Sequence, residues 1–323
     1  RGEARRRRPA SRAPRPDPAA RATPPASPLR PPRAWRERAG AQGAGEVSAR
    51  ALAAVVQMTS TTDVGRNLAA AESLVEQAAA RGAAFVGLPE NFAFLRSEGE
   101  PVPEPQDLDG PWVRRMAALA RRTRVTLLAG SLPERVPGDS RVRNTSVLLG
   151  PDGATLAVYR KIHLFDIDLP GMEHLKESRS VVPGDEIVTA PTTLGTVGLS
   201  ICYDLRFPEL YRELSRRGAR VLLIPSAFTE RTGKAHWEVL MRARAIENLA
   251  YVLAPAQVGH HGGGRTSHGQ AMIVDPWGAV VAQVPDGEGF ALAELDFERL
   301  ERLRRELPAL RHRRPLDRRG EMP

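Results

Sequence analysis

The chain has 323 residues, with 47 Lys+Arg against 38 Asp+Glu and a single cysteine. That length allows one large domain or two ordinary ones, and the lone Cys202 excludes an intramolecular disulfide and any Cys-rich zinc or iron–sulfur site. The net charge of +9 belongs wholly to residues 1–50, which hold 13 Arg against 4 acids, so residues 51–323 are neutral with 34 basic and 34 acidic groups.

Residues 1–50 carry 9 Pro and 12 Ala and almost no large apolar side chains beyond Leu29, Trp35 and Val47. Such a segment buries too little surface to offset its ordering entropy and reads as a disordered tail. Arg5-Arg6-Arg7-Arg8 could touch nucleic acid or anionic lipid by charge alone, and the composition also suits an organelle transit peptide; the plainer reading is an unfolded extension with no role. The chain starts without Met and its first Met is Met58, so part of the tail is expected to be a fragment or a mis-assigned start. No apolar run follows the charged stretch as a secretory signal requires, and no 18-residue apolar run occurs anywhere. The protein is expected to be soluble and cytoplasmic, with no membrane partner.

From Leu52 onward short apolar runs alternate with helical patterns. Leu52–Gln57 reads as a strand, followed by a helix from Asp63 with Leu68, Ala71, Val75 and Ala78 on one face. Ala84–Leu88 is a second buried strand, Trp112–Thr123 a helix and Val125–Gly130 a strand. Thr145–Leu149 and Thr155–Tyr159 flank the turn Pro151-Asp152-Gly153 and form a hairpin. Thr196–Ile201 and Arg220–Ile224 are strands around a helix near Pro208–Arg217. Lys234–Leu249 is helical, with Trp237, Leu240, Met241 and Ala245 on one side. Tyr251–Ala256, Gln270–Val274, Val280–Val284 and Ala291–Leu295 are strands. Asp296 caps a last helix with the face Phe297, Leu300, Leu303 and Leu307 and the i,i+4 pairs Glu298–Arg302 and Glu301–Arg305. The body, residues 51–314, reads as one α/β domain, with 315–323 as a C-terminal tail.

No Walker loop, G-x-G-x-x-G, G-x-S-x-G or H-E-x-x-H is present. His260-His261 lies in a Gly-rich stretch, where a solvated loop is a better reading than a metal site. Three other residues share one placement: Glu90 follows the strand ending at Leu88-Pro89, Lys161 follows the hairpin strand, and Cys202 follows Gly198–Ile201. In α/β sheets, ligand sites lie outside the carboxyl ends of strands. A free thiol is mostly protonated at neutral pH and needs a base, which Glu90 could be. Lys161 would favour the thiolate and stabilise an oxyanion, with the Tyr203 N–H as a second donor. Each residue also has a plain alternative: a buried core thiol, a solvated lysine, a loop-opening glutamate.

The flanking text decides between these readings. L-P-E-N-F around Glu90, Y-R-K-I-H-L-F-D around Lys161 and I-C-Y-D-L-R-F-P-E-L around Cys202 resemble, in order, the three signature blocks of the nitrilase superfamily. The likeness runs from about Leu52 to Arg314 and includes P-S-A-F-T, A-H-W-E-V-L-M-R-A-R-A-I-E-N and V-D-P-W-G. It implies a four-layer αββα sandwich and a cofactor-free, metal-free amidase acting on non-peptide C–N bonds. In that scheme Glu90 is the general base, Lys161 the oxyanion stabiliser and Cys202 the nucleophile, and Glu177 is a second acid supporting Lys161. Homodimers or larger homo-oligomers are implied as well.

H-L-F-D-I-D-L-P-G, the A-H-W-E-V-L helix and V-D-P-W-G resemble the deaminated glutathione amidase branch, which releases 2-oxoglutarate and Cys-Gly as a metabolite-repair step. The omega-amidases, acting on 2-oxoglutaramate, share much of the same text. The stretch Ser267-His268-Gly269-Gln270 departs from the family, which commonly has an aromatic residue before the glycine and a His after it, and this puts local packing and substrate preference in question. Arg206 is nominated to face an acidic substrate, with an ion pair to Glu209 as the alternative. His236 is a further candidate substrate contact beside Trp237. Two rivals stand outside this reading: nucleic-acid binding through the basic tail, which the neutral body disfavours, and a catalytically idle scaffold, which the intact Glu90, Lys161 and Cys202 disfavour.

Overall fold

The computed structural model describes residues 49–96, 102, 104–168 and 175–314. The tail expected over 1–50 and the one expected over 315–323 therefore lie outside the described residues, apart from Ala49 and Arg50.

In chain order, β1 (Arg50–Met58) leads through α1 (Val64–Ala80) to β2 (Phe85–Gly87), and α2 (Pro111–Thr123) leads to β3 (Thr126–Leu128). Asp63 caps α1 by accepting the Arg66 N–H at 2.9 Å, and Pro111 opens α2 where no N–H partner is needed. Next come β4 (Leu132–Arg135), β5 (Val142–Leu149) and β6 (Thr155–Arg160), then the short pair β7 (Asp166–Ile167) and β8 (Leu175–Lys176). β9 (Thr189–Thr192), β10 (Gly195–Leu199), α3 (Pro208–Arg216), β11 (Val221–Leu223), α4 (Glu230–Asn248) and β12 (Tyr251–Ala254) follow. The chain closes with β13 (Ala256–Gly262), β14 (Arg265–His268), β15 (Met272–Val274), β16 (Val280–Gln283), β17 (Gly289–Asp296), α5 (Phe297–Glu306) and the single turn α6 (Ala309–His312).

Two sheets result. The first has nine strands in the order β14-β13-β1-β2-β3-β5-β4, with β17 beside β1 and β6 beside β5; the second has six, in the order β16-β15-β12-β11-β10-β9. The two-residue period of β1 assigns its faces. Ala53 and Val55 pack inward with Leu199, Val221 and Val252 of the second sheet, whereas Ala54, Val56 and Met58 pack outward with Leu68 and Val75 of α1 and Trp112 and Met116 of α2. Leu210 and Leu214 of α3 and Trp237 and Met241 of α4 cover the second sheet. This is the four-layer αββα sandwich.

Tyr251–Ala256 is not one strand. At Pro255, which has no N–H for a ladder, the chain leaves the second sheet, where β12 pairs with β11 and β15, and enters the first, where β13 pairs with β1 and β14. The apolar run is continuous through that crossing, so periodicity could not mark it. Helix α4 starts at Glu230, a turn earlier than its apolar face suggests, because Thr232 and Gly233 are buried there. The polar strands β4, β9 and β14 had no apolar signal to reveal them.

Asp296 does cap α5, accepting the Arg299 N–H at 2.8 Å. The expected pairing of Glu301 with Arg305 is replaced by one to Arg220 at 3.3 Å. Leu300 is fully buried, while Leu307, past the helix end, is 44% exposed. Leu300→Ala is therefore expected to cost about 2–5 kcal/mol in denaturant unfolding, and Leu307→Ala within about 0.5 kcal/mol. Equal costs would contradict this packing.

Candidate active site

Glu90 lies just beyond β2, Lys161 follows β6 directly, and Cys202 opens a short 3-10 turn, Cys202–Arg206, beyond β10. Two strands of the first sheet and one of the second thus deliver the three residues to one place. Glu177 begins a second 3-10 turn, Glu177–Arg179, after β8. The structure brings all four together.

Lys161 is 2% exposed and its Nζ donates to Glu90 Oε1 at 3.1 Å and to Glu177 Oε1 and Oε2 at 3.0 and 2.9 Å. Glu90, 3% exposed, also accepts the Asn144 amide on Oε1 at 2.9 Å and the Ala227 N–H on Oε2 at 2.9 Å, and the Cys202 thiol lines the same cavity. Glu177 Oε2 accepts the Phe165 N–H at 2.6 Å.

These contacts set the protonation states. Burial pushes the Glu90 carboxyl up, but the Lys161 charge and the hydrogen bonds from Cys202 and Lys161 outweigh it and hold Glu90 below its ordinary value. For Lys161, burial acts to lower the pKa, but the carboxylates of Glu177 and Glu90 outweigh it, so the ammonium keeps its proton. The Cys202 thiol is pushed well up, by burial first and the Glu90 carboxylate second, against the opposing pull of Lys161. Lys161 thus favours the thiolate as expected, but burial and the Glu90 carboxylate outweigh it, and the balance lies with a thiol beside a carboxylate.

The backbone aims the thiol. Cys202 has φ +47°, a left-handed conformation that a side chain adopts at a cost, and it sits at a strand-to-helix corner. Asp204, fully buried, holds that corner. Its carboxylate accepts the Ile201 N–H at 2.8 Å, the Tyr159 hydroxyl at 2.7 Å and the His163 N–H at 3.0 Å, and lies 2.7 Å from His163 Nδ1. Tyr159 and His163 flank Lys161, so Asp204 ties the segment bearing the ammonium to the one bearing the thiol.

A cavity of about 670 Å³ opens onto these groups. Arg96, Arg143, Arg206, Arg231, Lys234 and Arg265 line it, while Glu90, Glu177 and Glu230 supply its carboxylates. Tyr203 and Arg206 reach the cavity; Arg206 lies 5.7 Å from the Tyr203 ring centroid and 5.4 Å from that of Phe228. The alternative ion pair from Arg206 to Glu209 does not form; Arg206 Nη1 instead meets His236 Nδ1 at 3.3 Å. His236 is exposed and is absent from the cavity wall among the described residues, because its place on α4 turns it outward. Trp237 is buried, and its indole N–H donates to the Gln270 carbonyl at 2.7 Å.

The unusual Ser267–Gln270 stretch is accommodated. Ser267 and His268 belong to β14, and Gln270 takes φ +62°. The His268 side chain packs so tightly on Gly233 that a Cβ there would fall 2.3 Å from it. His261 is not in a solvated loop: it lies in β13, buried, with Nδ1 2.8 Å from the Ser60 carbonyl, and burial pushes it down to about 4. Among the described residues no three His, Cys, Asp or Glu side chains group as metal ligands, and no helix is long and apolar enough to cross a membrane.

Asn144, the Ala227 N–H and Asp204 were not picked out from the sequence. The last was visible inside I-C-Y-D, two residues past the thiol; Asn144 opens a polar strand end and Ala227 contributes only backbone.

A thiol and a carboxylate in one cavity, with a buried ammonium paired to that carboxylate, are equipment for acyl transfer through sulfur. The sequence profile of the carbon-nitrogen hydrolases matches residues 52–305, and the chain belongs to that family, whose members hydrolyse carbon–nitrogen bonds. It is 47% identical to the deaminated glutathione amidase of Synechocystis sp. over 265 residues, covering 81% of this chain and 97% of that protein. Against the deaminated glutathione amidase of Homo sapiens it is 44% identical over 269 residues, 82% of each chain. The crystal structure of Saccharomyces cerevisiae Nit3, a member of branch 10 of the nitrilase superfamily, superposes with a TM-score of 0.71 at 33% identity, covering 82% of this chain and 97% of that one.

Asp204→Ala leaves the Tyr159 hydroxyl and the Ile201 N–H unpartnered in the core. It is expected to cost about 3 kcal/mol or more in denaturant unfolding, as loss of a buried charged acceptor does. An unchanged midpoint would show that the carboxylate is not holding the corner.

Proposed function

We propose that the chain is a cofactor-free amidase that hydrolyses deaminated glutathione to 2-oxoglutarate and Cys-Gly through a thioester on Cys202. What supports the reading most is that Glu90 and Cys202 line one cation-rich cavity, with the buried Lys161 ammonium held between Glu90 and Glu177.

Glu90 takes the thiol proton as Cys202 Sγ attacks the amide carbon. The negative charge that develops on the amide oxygen is met by Lys161 and by the Tyr203 N–H in the first turn after Cys202. An ammonium has three N–H donors, and those of Lys161 already serve Glu90 and Glu177. Lys161 therefore acts on the oxyanion chiefly through its charge, and Tyr203 supplies the directed hydrogen bond. Glu90 passes its proton to the departing amine, the C–N bond breaks, and a thioester remains. Water, deprotonated by the same carboxylate, attacks the thioester, and the acid leaves as the thiol is restored. Glu177 fixes Lys161 throughout.

The substrate carries a carboxylate at each end, which suits the cationic wall, and Arg206 is a substrate contact in this reading. Relatives named deaminated glutathione amidase support the choice. A reducing compartment, the cytoplasm, suits a lone catalytic thiol. The exposed Val239 and Ile246 of α4, with exposed Trp277, support a homo-oligomer that covers them.

Purified protein given deaminated glutathione is expected to release 2-oxoglutarate faster than from 2-oxoglutaramate; the reverse preference would move it to the omega-amidases. Cys202→Ala is expected to abolish release while keeping the unfolding midpoint, and retained turnover would refute the nucleophile. Because Glu90 is held below its ordinary value, it stays ionised above that depressed pKa and loses its charge only as the pH falls through it. The acid limb of kcat/KM should therefore lie below about pH 4.3, the ordinary glutamate value. A limb near neutrality would contradict Glu90 as the resting base.

A further inference from the structure

Arg143 lines the catalytic cavity beside Asn144, at the start of β5, and its guanidinium has no ion-pair partner among the described residues. Its Nε is closed off from solvent with no hydrogen-bond partner among the described residues. Two described acids near it are committed elsewhere. Glu134, directly opposite Arg143 across the β4–β5 ladder, gives its carboxylate to Arg160 at 2.6 and 2.7 Å and to the Thr145 hydroxyl at 2.7 Å. Glu177 is occupied by Lys161, Phe165 and Asn144. A partly buried cation without a counter-ion among the described residues carries a folding cost, and here it lies on the wall of the reaction cavity.

We propose that Arg143 is a carboxylate anchor of the active site: the counter-ion it takes is a free carboxylate of the amide substrate. The planar guanidinium fork matches a carboxylate in a way an ammonium does not. The amides taken are accordingly those with an acid group within one molecule's length of the scissile bond, and Arg143 selects them over neutral amides of the same size. This assignment rests on the amidase reading above, and it goes beyond it in naming the residue that enforces an anionic substrate. Deaminated glutathione has two such groups, the 2-oxo acid and the glycine carboxylate, and the shared chemistry is the carboxylate.

The test is calorimetric binding to Cys202→Ala, which needs no turnover, with and without Arg143→Gln. The probes are deaminated glutathione, 2-oxoglutaramate and the carboxylate-free glutaramide. Arg143→Gln is expected to weaken the acids by about tenfold to a hundredfold, the worth of a charged hydrogen bond, and to leave glutaramide unchanged. Arg143→Lys should recover part of the loss. Weakening of both acids places the 2-oxo acid on Arg143, and weakening of deaminated glutathione alone places the glycine carboxylate there. The unfolding midpoint of Arg143→Gln should stay level or rise, because the cation removed has no partner among the described residues. Undiminished binding of both acids, an equal loss on glutaramide, or no binding of either acid to the parent would overturn the anchor. A wild-type enzyme that binds both acids yet releases 2-oxoglutarate from neither would overturn the substrate reading and leave the anchor standing.

Discussion

A single ammonium group, Lys161 Nζ, sits out of solvent between the carboxylates of Glu90 and Glu177, and the protonation of the whole site follows from it. Burial alone would neutralise Lys161 and Glu90; paired, they keep their charges. Glu90, ionised although buried, can then act as a base, and its negative charge helps keep the neighbouring thiol protonated. The pairing also links stability to pH at both ends. Lys161, raised above its unfolded value, contributes stability that is complete below about pH 10.4 and is lost as the pH rises through its folded value. Glu90, depressed, contributes above about pH 4.3 and is lost as the pH falls through its folded value.

The scaffold serves this pairing by bringing together residues that are far apart in the chain. Glu90 and Lys161 come from the first sheet and Cys202 from the second, so the site exists only when the two sheets pack. Asp204 joins the two sides through Tyr159, His163 and Ile201, and the strained turn at Cys202 points the sulfur at the carboxylate. Rigidity here is chemical preparation: base, thiol and ammonium are positioned before any amide arrives.

Much of this was legible in the sequence, for physical reasons. Glu90, Lys161 and Cys202 each follow an apolar strand, and strand ends are where α/β folds place chemistry. The faces of β1 and α1 followed from periods of two and about 3.6. What stayed hidden depended on tertiary contact. The apolar run through Pro255 gave no sign of crossing between sheets. His261 sat among glycines and polar residues, yet β13 buries it against Ser60. Asn144 and Ala227 matter because of what Glu90 brings near them, and Glu134, opposite Arg143, is committed to Arg160 instead.

Burial and the Glu90 charge favour a protonated thiol at Cys202 beside the Glu90 carboxylate. With one cysteine in the chain, the thiolate ultraviolet absorbance of the native protein minus that of Cys202→Ala reports this group alone. The account predicts no thiolate signal as the pH rises through about 8.5, the ordinary cysteine value, and its appearance only well above. A thiolate already present at neutral pH would contradict it, and would make Glu90 a bystander to the first step.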